Sequence, residues 1–334
     1  MSLPTSVAII GAGMAGISAA RVLDEAGIAV ELFDKSRGTG GRMTSKRTGH
    51  GEFDIGTQYF TARHHAFRAE VESWYEQGWV ARWQPRLCRI DEHGIHPSDD
   101  EQDRYVGSPR MTALSRGLLG NLTLRGSVRI TRLEQHDQGW ILVDSEERQY
   151  GPFDRVIVAT PAPQAAPLLA AAPQLARAAE QMAMEPGWAV SVGFDQPLDT
   201  DVDAAFVRTG PLDWICANHS KPGRAENCNW VLQSTPQWAQ QHLDTPPAEV
   251  AGLLLHALGE ALQTPLPPAQ LLQAHRWLYA RPAEDCGARS RALCLRRLVS
   301  GRTVGGCVAE RSPCGSSGIG PPLISGRPFV SRIH

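Results

Sequence analysis

Three glycines near the start of the chain constrain its fold more than any other feature. Gly11, Gly13 and Gly16 stand between an apolar run, Val7 to Ile10, and an alanine-rich stretch, Ala15 to Ala26, that Gly27 ends. The run reads as a buried strand, the stretch as a helix and Ile28 to Phe33 as a second strand, which together make one βαβ unit. In such a unit the first glycine permits a tight turn and the second lets the backbone approach a pyrophosphate. The third lets helix and strand pack closely, and the helix N-terminus adds positive partial charge. Asp34 closes the second strand about 20 residues on, where an acid accepts hydrogen bonds from a ribose diol and disfavours a 2′-phosphate. The bend Gly11-Ala12-Gly13-Met14-Ala15-Gly16 is therefore expected to hold the diphosphate of FAD or NAD rather than NADP.

At 334 residues the chain exceeds what one hydrophobic core usually supports, so two domains are expected. With 33 basic against 35 acidic side chains it has no global field to draw it to nucleic acid or an anionic membrane, which leaves a small molecule as the default partner. Val7 to Ile10 is too short for a membrane span and has no basic region before it, so a cytoplasmic protein is expected. The seven cysteines form no CxxC pair and no Cys/His ligand spacing, which argues against a metal site or a disulfide framework.

Further along, His64 to Trp83 places aromatic and charged residues at helical spacing and predicts one amphipathic helix over the nucleotide domain. Strands are expected at Leu122 to Leu124, Val128 to Leu133 and Trp140 to Asp144, and Val156 to Ala159 reads as a parallel strand. Ala162 to Ala178 predicts a helix, Ala189 to Phe194 and Trp230 to Gln233 strands, and Pro247 to Leu262 another helix. From about Glu284 the apolar periodicity disappears and Arg, Gly, Ser, Pro and Cys take over, a composition expected to stay disordered.

The segment Lys35-Ser36-Arg37-Gly38-Thr39-Gly40-Gly41-Arg42-Met43 resembles the glycine-rich signature of flavoproteins related to amine oxidases, which favours FAD. Gly40 and Gly41 admit close backbone approach, and Arg42 supplies a fixed cation for a pyrophosphate. Asp54-Ile55-Gly56-Thr57-Gln58-Tyr59-Phe60 and the strand ending Val156-Ile157-Val158-Ala159-Thr160-Pro161 resemble the same pattern. The resemblance implies that Gly56, Thr57, Gln58 and Tyr59 pass beside the isoalloxazine ring. It also implies that Val128 meets the adenine through its backbone and that Lys35, Gly41, Arg42 and Thr160 lie near the dinucleotide.

Together with PLDWICANHSKPGR and HRWLYARPA, these stretches make the chain from Val7 to about Ala283 similar to bacterial renalase-like proteins. Members of that family are FAD oxidases with a fold like that of monoamine oxidases. Some oxidise isomers of NAD(P)H reduced at the wrong pyridine carbon, returning NAD(P)+ and hydrogen peroxide. The resemblance implies an α/β fold in which an FAD/NAD(P)-binding Rossmann-like domain, residues 1–63 and 100–163, carries an inserted mixed α+β substrate domain, residues 64–99 and 164–280. It also implies oxygen as co-substrate, with an amine as the alternative substrate. Hydride transfer needs orientation and exclusion of water more than a strong acid or base, so no catalytic residue is assigned. The expected substrate pocket is aromatic, with Tyr59, Trp214, Trp277 and Tyr279 beside Arg276. His219 and His275, isolated in the sequence, are read as structural.

Proteins of this kind close with a Gly-Asp strand and a helix, and residues 284–334 spell neither. Read one base later, however, codons for Leu295-Arg296-Arg297-Leu298-Val299-Ser300 can yield Cys-Gly-Asp-Trp-Cys-Leu, the family's closing text. Those for Gly305-Gly306-Cys307-Val308-Ala309-Glu310-Arg311 can yield Glu-Gly-Ala-Trp-Leu-Ser-Gly. The tail thus reads as a shifted frame, and a chain without the family's ending is expected to hold FAD weakly or to be an inactive nucleotide-binding relic.

Overall fold

The computed structural model describes residues 5–283 and 307–308. Its first elements are β1 (Ser6–Ile10), α1 (Met14–Glu25) and β2 (Ala29–Phe33). The two strands run parallel, with Val7 beside Val30 and Ile9 beside Leu32. Helix α1 buries Gly16, Ile17, Ala20 and Leu23 at helical spacing, and Gly27 follows it at φ +76°, a conformation that costs a glycine little. The βαβ unit read from the sequence is present to within about one residue at each end.

A hairpin of β3 (Ser45–Thr48) and β4 (Gly51–Asp54) comes next. Then follow α2 (His65–Glu76), β5 (Val80–Trp83), β6 (Leu87–Asp91), β7 (Gly94–Pro97) and β8 (Arg104–Gly107). The single helix expected over His64 to Trp83 is therefore a helix and a strand. Gly78, at φ +71°, turns the chain, and Val80 and Trp83 are buried in a ladder that β5 forms with β8. Helix α3 (Thr112–Leu119) leads to β9 (Thr123–Arg125), β10 (Ile130–His136), β11 (Gly139–Asp144), β12 (Gln149–Phe153) and β13 (Arg155–Val158). The helix expected over Ala162 to Ala178 is two, α4 (Ala162–Leu168) and α5 (Pro173–Glu180), because a residue before proline, here Ala172, is pushed out of the helical region. The remaining elements are β14 (Met184–Phe194), β15 (Ala204–Val207), β16 (Leu212–Ala217), β17 (Cys228–Ser234), α6 (Pro236–Gln241), α7 (Pro247–Leu262), β18 (Ala269–Pro282) and β19 (Cys307–Val308).

Two compact units result. The first takes in the residues up to Gly41 and Ser115–Ala183, and the second Arg42–Leu114 and Met184–Arg281. These boundaries differ from those expected at 63/64, 99/100 and 163/164. Residues 42–63 go with the second unit because Asp54 N–H donates to Asn218 Oδ1 and Asn218 Nδ2 to the Glu52 carbonyl. Residues 100–114 follow them through the pairing of β8 with β5. Residues 164–183 stay in the first unit, where Ala165, Ala166, Leu168 and Ala179 complete its core. Helix α2, expected over the nucleotide domain, likewise belongs to the second unit.

In the first unit a five-stranded sheet runs in the order β19-β13-β1-β2-β9, with the four longer strands parallel and β19 antiparallel beside Ile157 and Val158. A separate antiparallel sheet, β10-β11-β12, supplies Trp140, Leu142 and Phe153 to the same core. Phe33 sits edge-on to Tyr150 and Phe153 there, and truncating so buried a ring costs about 3–5 kcal/mol. The second unit is built on a seven-stranded sheet, β18-β14-β17-β16-β15-β6-β7, in which β15–β6 is parallel and β14–β17, β17–β16, β16–β15 and β6–β7 are antiparallel. Val250, Leu254 and Leu258, one face of α7, pack with Trp188, Val190 and Leu232 of that sheet. Among the described residues no helix is long and apolar enough to cross a membrane. The disorder and the missing closing motif expected of residues 284–334 lie outside the described residues, apart from Cys307–Val308.

Candidate functional site

The three glycines of the bend are glycines for three different reasons. Gly11 has φ +108°, and a Cβ on it would stand 2.8 Å from the Ala159 carbonyl oxygen. A Cβ on Gly16 would meet the Gly11 carbonyl oxygen at 1.9 Å, so only a hydrogen there lets α1 cross β1 this closely. Gly13 has an ordinary φ of −79°, and among the described residues nothing lies within 4 Å of where its Cβ would be. The described residues alone give no reason for glycine at position 13. A ligand held against the backbone does, because a side chain would fill the space that ligand needs.

Other features of the first unit fit a diphosphate in that space. Helix α1 begins at Met14, and among the described residues no side chain caps it. The N–H groups of its first turn have no acceptor within the helix, and their dipoles favour an anion. Gly40 N–H donates to the Ala12 carbonyl at 3.0 Å, which lays the glycine-rich turn against the bend, and Gly41 takes φ +53° with its absent Cβ 3.3 Å from Gly13 Cα. The hydroxyl of Thr160 is buried without a partner among the described residues, and its methyl lies 3.4 Å from where a Cβ on Gly11 would be.

Asp34 is already half engaged. Its Oδ2 accepts from Ala12 N–H and its Oδ1 from Ser36 N–H, each at 2.7 Å, so the carboxylate both braces the bend and keeps a second acceptor site on each oxygen for ribose hydroxyls. The Val128 N–H donates to the Asp34 carbonyl at 2.9 Å. The backbone contact expected there for adenine is thereby narrowed to the Val128 carbonyl. Lys35 is exposed, with Nζ 3.4 Å from Gln164 Oε1.

In the second unit the stretch from Asp54 to Tyr59 is held by side chains. A Cβ on Gly56 would lie 1.9 Å from the Arg42 carbonyl oxygen, which accepts from Thr57 N–H at 2.8 Å. The Arg42 side chain is exposed and donates to the Ala280 carbonyl at 3.3 Å. Gln58 is buried, its Nε2 donating to the carbonyls of Asp54 and Gly56, and Gln233 Nε2 donates to the same Gly56 carbonyl at 2.6 Å. Trp277 Nε1 donates to the Ile55 carbonyl at 2.9 Å.

Beside this stretch lies a buried ionic cluster that reading the sequence did not single out. The Asp54 carboxylate accepts from Ser45 Oγ at 2.7 Å, Met111 N–H at 3.0 Å, Lys221 Nζ at 3.3 Å and Arg224 Nη2. Burial acts to raise its pKa, but the charges of Lys221 and Arg224 and the bonds from Ser45 and Arg224 outweigh burial and hold it well below the usual carboxylate range. Lys221 has a fully buried side chain. Both cations fall in the quoted stretch PLDWICANHSKPGR, but their partner is 167 positions from Lys221, a pairing that no local pattern reveals.

The residues expected to line a substrate pocket do not all come together. The Tyr59 ring packs on Trp214 at 5.4 Å and on Trp83 at 6.1 Å, with the Arg104 guanidinium 5.3 Å from its centre. Burial raises the pKa of the Tyr59 phenol against the opposing charge of Arg104. On β18 Trp277 and Tyr279 share one face by strand alternation. Arg276 falls on the other face, exposed, and donates to the Leu243 carbonyl, so it does not stand with Trp277. His275 sits edge-on to Trp277 at 4.6 Å, its pKa lowered by burial and by Lys46. His219 Nδ1 lies 3.4 Å from the Asn229 carbonyl.

Comparison with known proteins bears on the family and the fold. Residues 9–72 match the model of an NAD(P)-binding Rossmann-like domain, and residues 90–283, more than half of the chain, match that of flavin containing amine oxidoreductases. A carotenoid phi-ring synthase of Streptomyces griseus is 32% identical over 133 residues, 37% of this chain and 25% of its own, so the chain spans about a quarter of that relative. Among solved structures, a candidate protoporphyrinogen oxidase from Exiguobacterium sp. 255-15 superposes with a TM-score of 0.63 at 16% identity, covering 85% of this chain and 88% of that one. A putrescine oxidase bound to putrescine gives 0.60 at 12% identity, over 82% and 88%, and an oxidoreductase from Methanosarcina mazei gives 0.59 at 13%, over 82% and 88%. At such identities the superpositions speak for the fold. The chain belongs to the flavin containing amine oxidoreductase family, with FAD as its cofactor.

Proposed function

We propose that the chain is an oxidase that removes a hydride from a small reduced substrate, favouring isomers of NAD(P)H reduced at the wrong pyridine carbon, and releases NAD(P)+ and hydrogen peroxide. The observation that carries the FAD part of this reading is Gly13, a glycine that neither backbone strain nor packing by the described residues requires, at the head of a helix that no described side chain caps, and the family match carries the oxidoreductase part. The chemistry FAD supplies when bound is acceptance of the hydride at N5 and reoxidation by oxygen.

In this reading the bend from Gly11 to Gly16 holds the diphosphate, Asp34 the ribose, and Lys35, Gly41, Arg42 and Thr160 the neighbourhood of the dinucleotide, with Val128 at the adenine. Gly56, Thr57, Gln58 and Tyr59 lie beside the isoalloxazine ring. Tyr59, Trp214, Trp277 and Tyr279 orient the substrate and exclude water, and Arg276, on the far face of β18, is left a peripheral role. Electrostatics supports a dihydropyridine over an amine. Lys221 and Arg224 share the single carboxylate of Asp54, a surplus of one positive charge that disfavours an ammonium beside this stretch, while the Arg104 guanidinium over Tyr59 is balanced by Asp100 at 2.7 Å. Amine oxidation is the second reading, favoured by the family match and by the fold shared with a putrescine oxidase.

Anaerobic mixing separates the two. Dihydropyridine isomers are expected to bleach the flavin band and primary amines to leave it, and the reverse result would replace the first reading with the second. We place the protein in the cytoplasm. We further hold that the segment after about Glu284 is the family's closing text read one base out, an idea that resequencing the gene would end if the frame proves unslipped.

A further inference from the structure

The carbonyls of the stretch beside β4 are occupied in an unusual way. Asp54, Ile55 and Gly56 each have the backbone oxygen taken by a side chain, from Gln58, from Trp277 and from both Gln58 and Gln233 respectively. Buried carbonyls away from a ladder must find donors somewhere. Here they find amides and an indole, whose orientation therefore decides the shape of the backbone.

Gln58 is the least constrained of these groups by its own chemistry. Its amide is nearly symmetrical, and turned over it would set Oε1 against two carbonyl oxygens. What prevents this is Lys221, whose ammonium can only donate. Its Nζ lies 3.0 Å from Gln58 Oε1, 3.3 Å from Asp54 Oδ2 and 3.5 Å from Asn218 Oδ1, three acceptors for three N–H bonds. Asp54 does not need Lys221 for neutrality, since Arg224 already donates to the same carboxylate oxygen. A second cation with a fully buried side chain, on a carboxylate that one cation already balances, is costly to keep and needs another reason.

We infer that Lys221 is a positioning residue that, by fixing the Gln58 amide, presets the backbone of Gly56 to Tyr59. It touches neither substrate nor cofactor. The inference rests on the reading that this stretch lies beside the isoalloxazine ring, where displacing it would alter both the electronic environment of the ring and the approach of substrate.

The test is a double-mutant cycle on the full-length holoenzyme, with FAD supplied in excess, using Lys221→Met, Gln58→Met and the pair. Two readouts are taken, the midpoint potential of the bound flavin under dye-linked reduction and the rate of anaerobic reduction by a dihydropyridine isomer. Each single change is expected to shift the potential and to slow reduction about tenfold or more, with substrate affinity changed less than about twofold. The double variant is expected to match Gln58→Met alone, because the two residues act in series. An unmoved potential in folded Lys221→Met, or effects that multiply in the double variant, would overturn the inference. Should Lys221→Met not yield holoenzyme, Gln58→Glu replaces it. A carboxylate keeps the acceptor for Lys221 but has no donor for the two carbonyls, so the same shift is expected, and an unmoved potential again overturns the idea. Failure of the substrate reading looks different, because the wild-type flavin would then not be reduced by the isomers while its potential would still respond to the substitutions. A wild-type chain that takes up no FAD would refute the reading of the site and this inference with it.

Discussion

At the bend from Gly11 to Gly16 the side chains stand aside and the backbone is left open. From Asp54 to Tyr59 the side chains crowd in and the backbone is what they hold. The first region gains its character from three missing Cβ atoms within six consecutive residues, and the second from Lys221, Arg224, Gln233 and Trp277, brought to it from far along the chain. A site of the first kind is damaged by adding atoms, and one of the second kind by removing partners.

The largest effect on stability is expected in the second region. Asp54→Asn leaves Lys221 and Arg224 buried without a carboxylate and should cost about 3–5 kcal/mol in a denaturant titration. A loss below about 1 kcal/mol would mean that the cluster is wetter than its burial indicates. In the first region Gly16→Ala should cost on the order of 3 kcal/mol, because its Cβ meets a backbone oxygen that cannot yield without opening the turn. FAD uptake should fall with it, and a variant that still binds FAD at full stability would break the contrast.

These two sites also show how much was legible in the sequence. The bend could be read because a tight turn, a close approach and a helix N-terminus each leave a local mark, Gly11, Gly16 and Gly13, within a few positions. The helix predicted over His64 to Trp83 failed where a single residue, Gly78, turned the chain into strand β5, since aromatic spacing alone does not separate a helix from a helix followed by a strand. The ionic cluster was not legible, because Asp54 and Lys221 meet only through the tertiary fold. The faces of β18 were not legible for a related reason, as adjacency of Arg276 and Trp277 in a strand puts their two side chains on opposite faces.

A smaller effect sharpens the comparison through pH. The pKa of Asp54 is depressed in the folded protein, so its contribution to stability is complete above the unfolded carboxylate value of about 4 and is lost as pH falls towards the folded value. The gap in melting temperature between wild type and Asp54→Asn should therefore narrow steadily as pH is lowered from about 5. A gap that stayed constant would show that the carboxylate is not ionised in the cluster. The smallest effect concerns Cys216, whose thiol burial pushes up to about 11. Site-by-site mapping of alkylation on the native protein should find Cys216 unmodified while Cys88, partly exposed, reacts.

The claim on which the account turns is that the open space at Gly13 belongs to the diphosphate of FAD. Titrating FAD into wild type and Gly13→Val, with melting curves as the control, tests it most directly. The variant is expected to melt within a few degrees of wild type yet to bind FAD at least about 100-fold more weakly, a loss near 2.7 kcal/mol. Equal affinity in a folded Gly13→Val would contradict it.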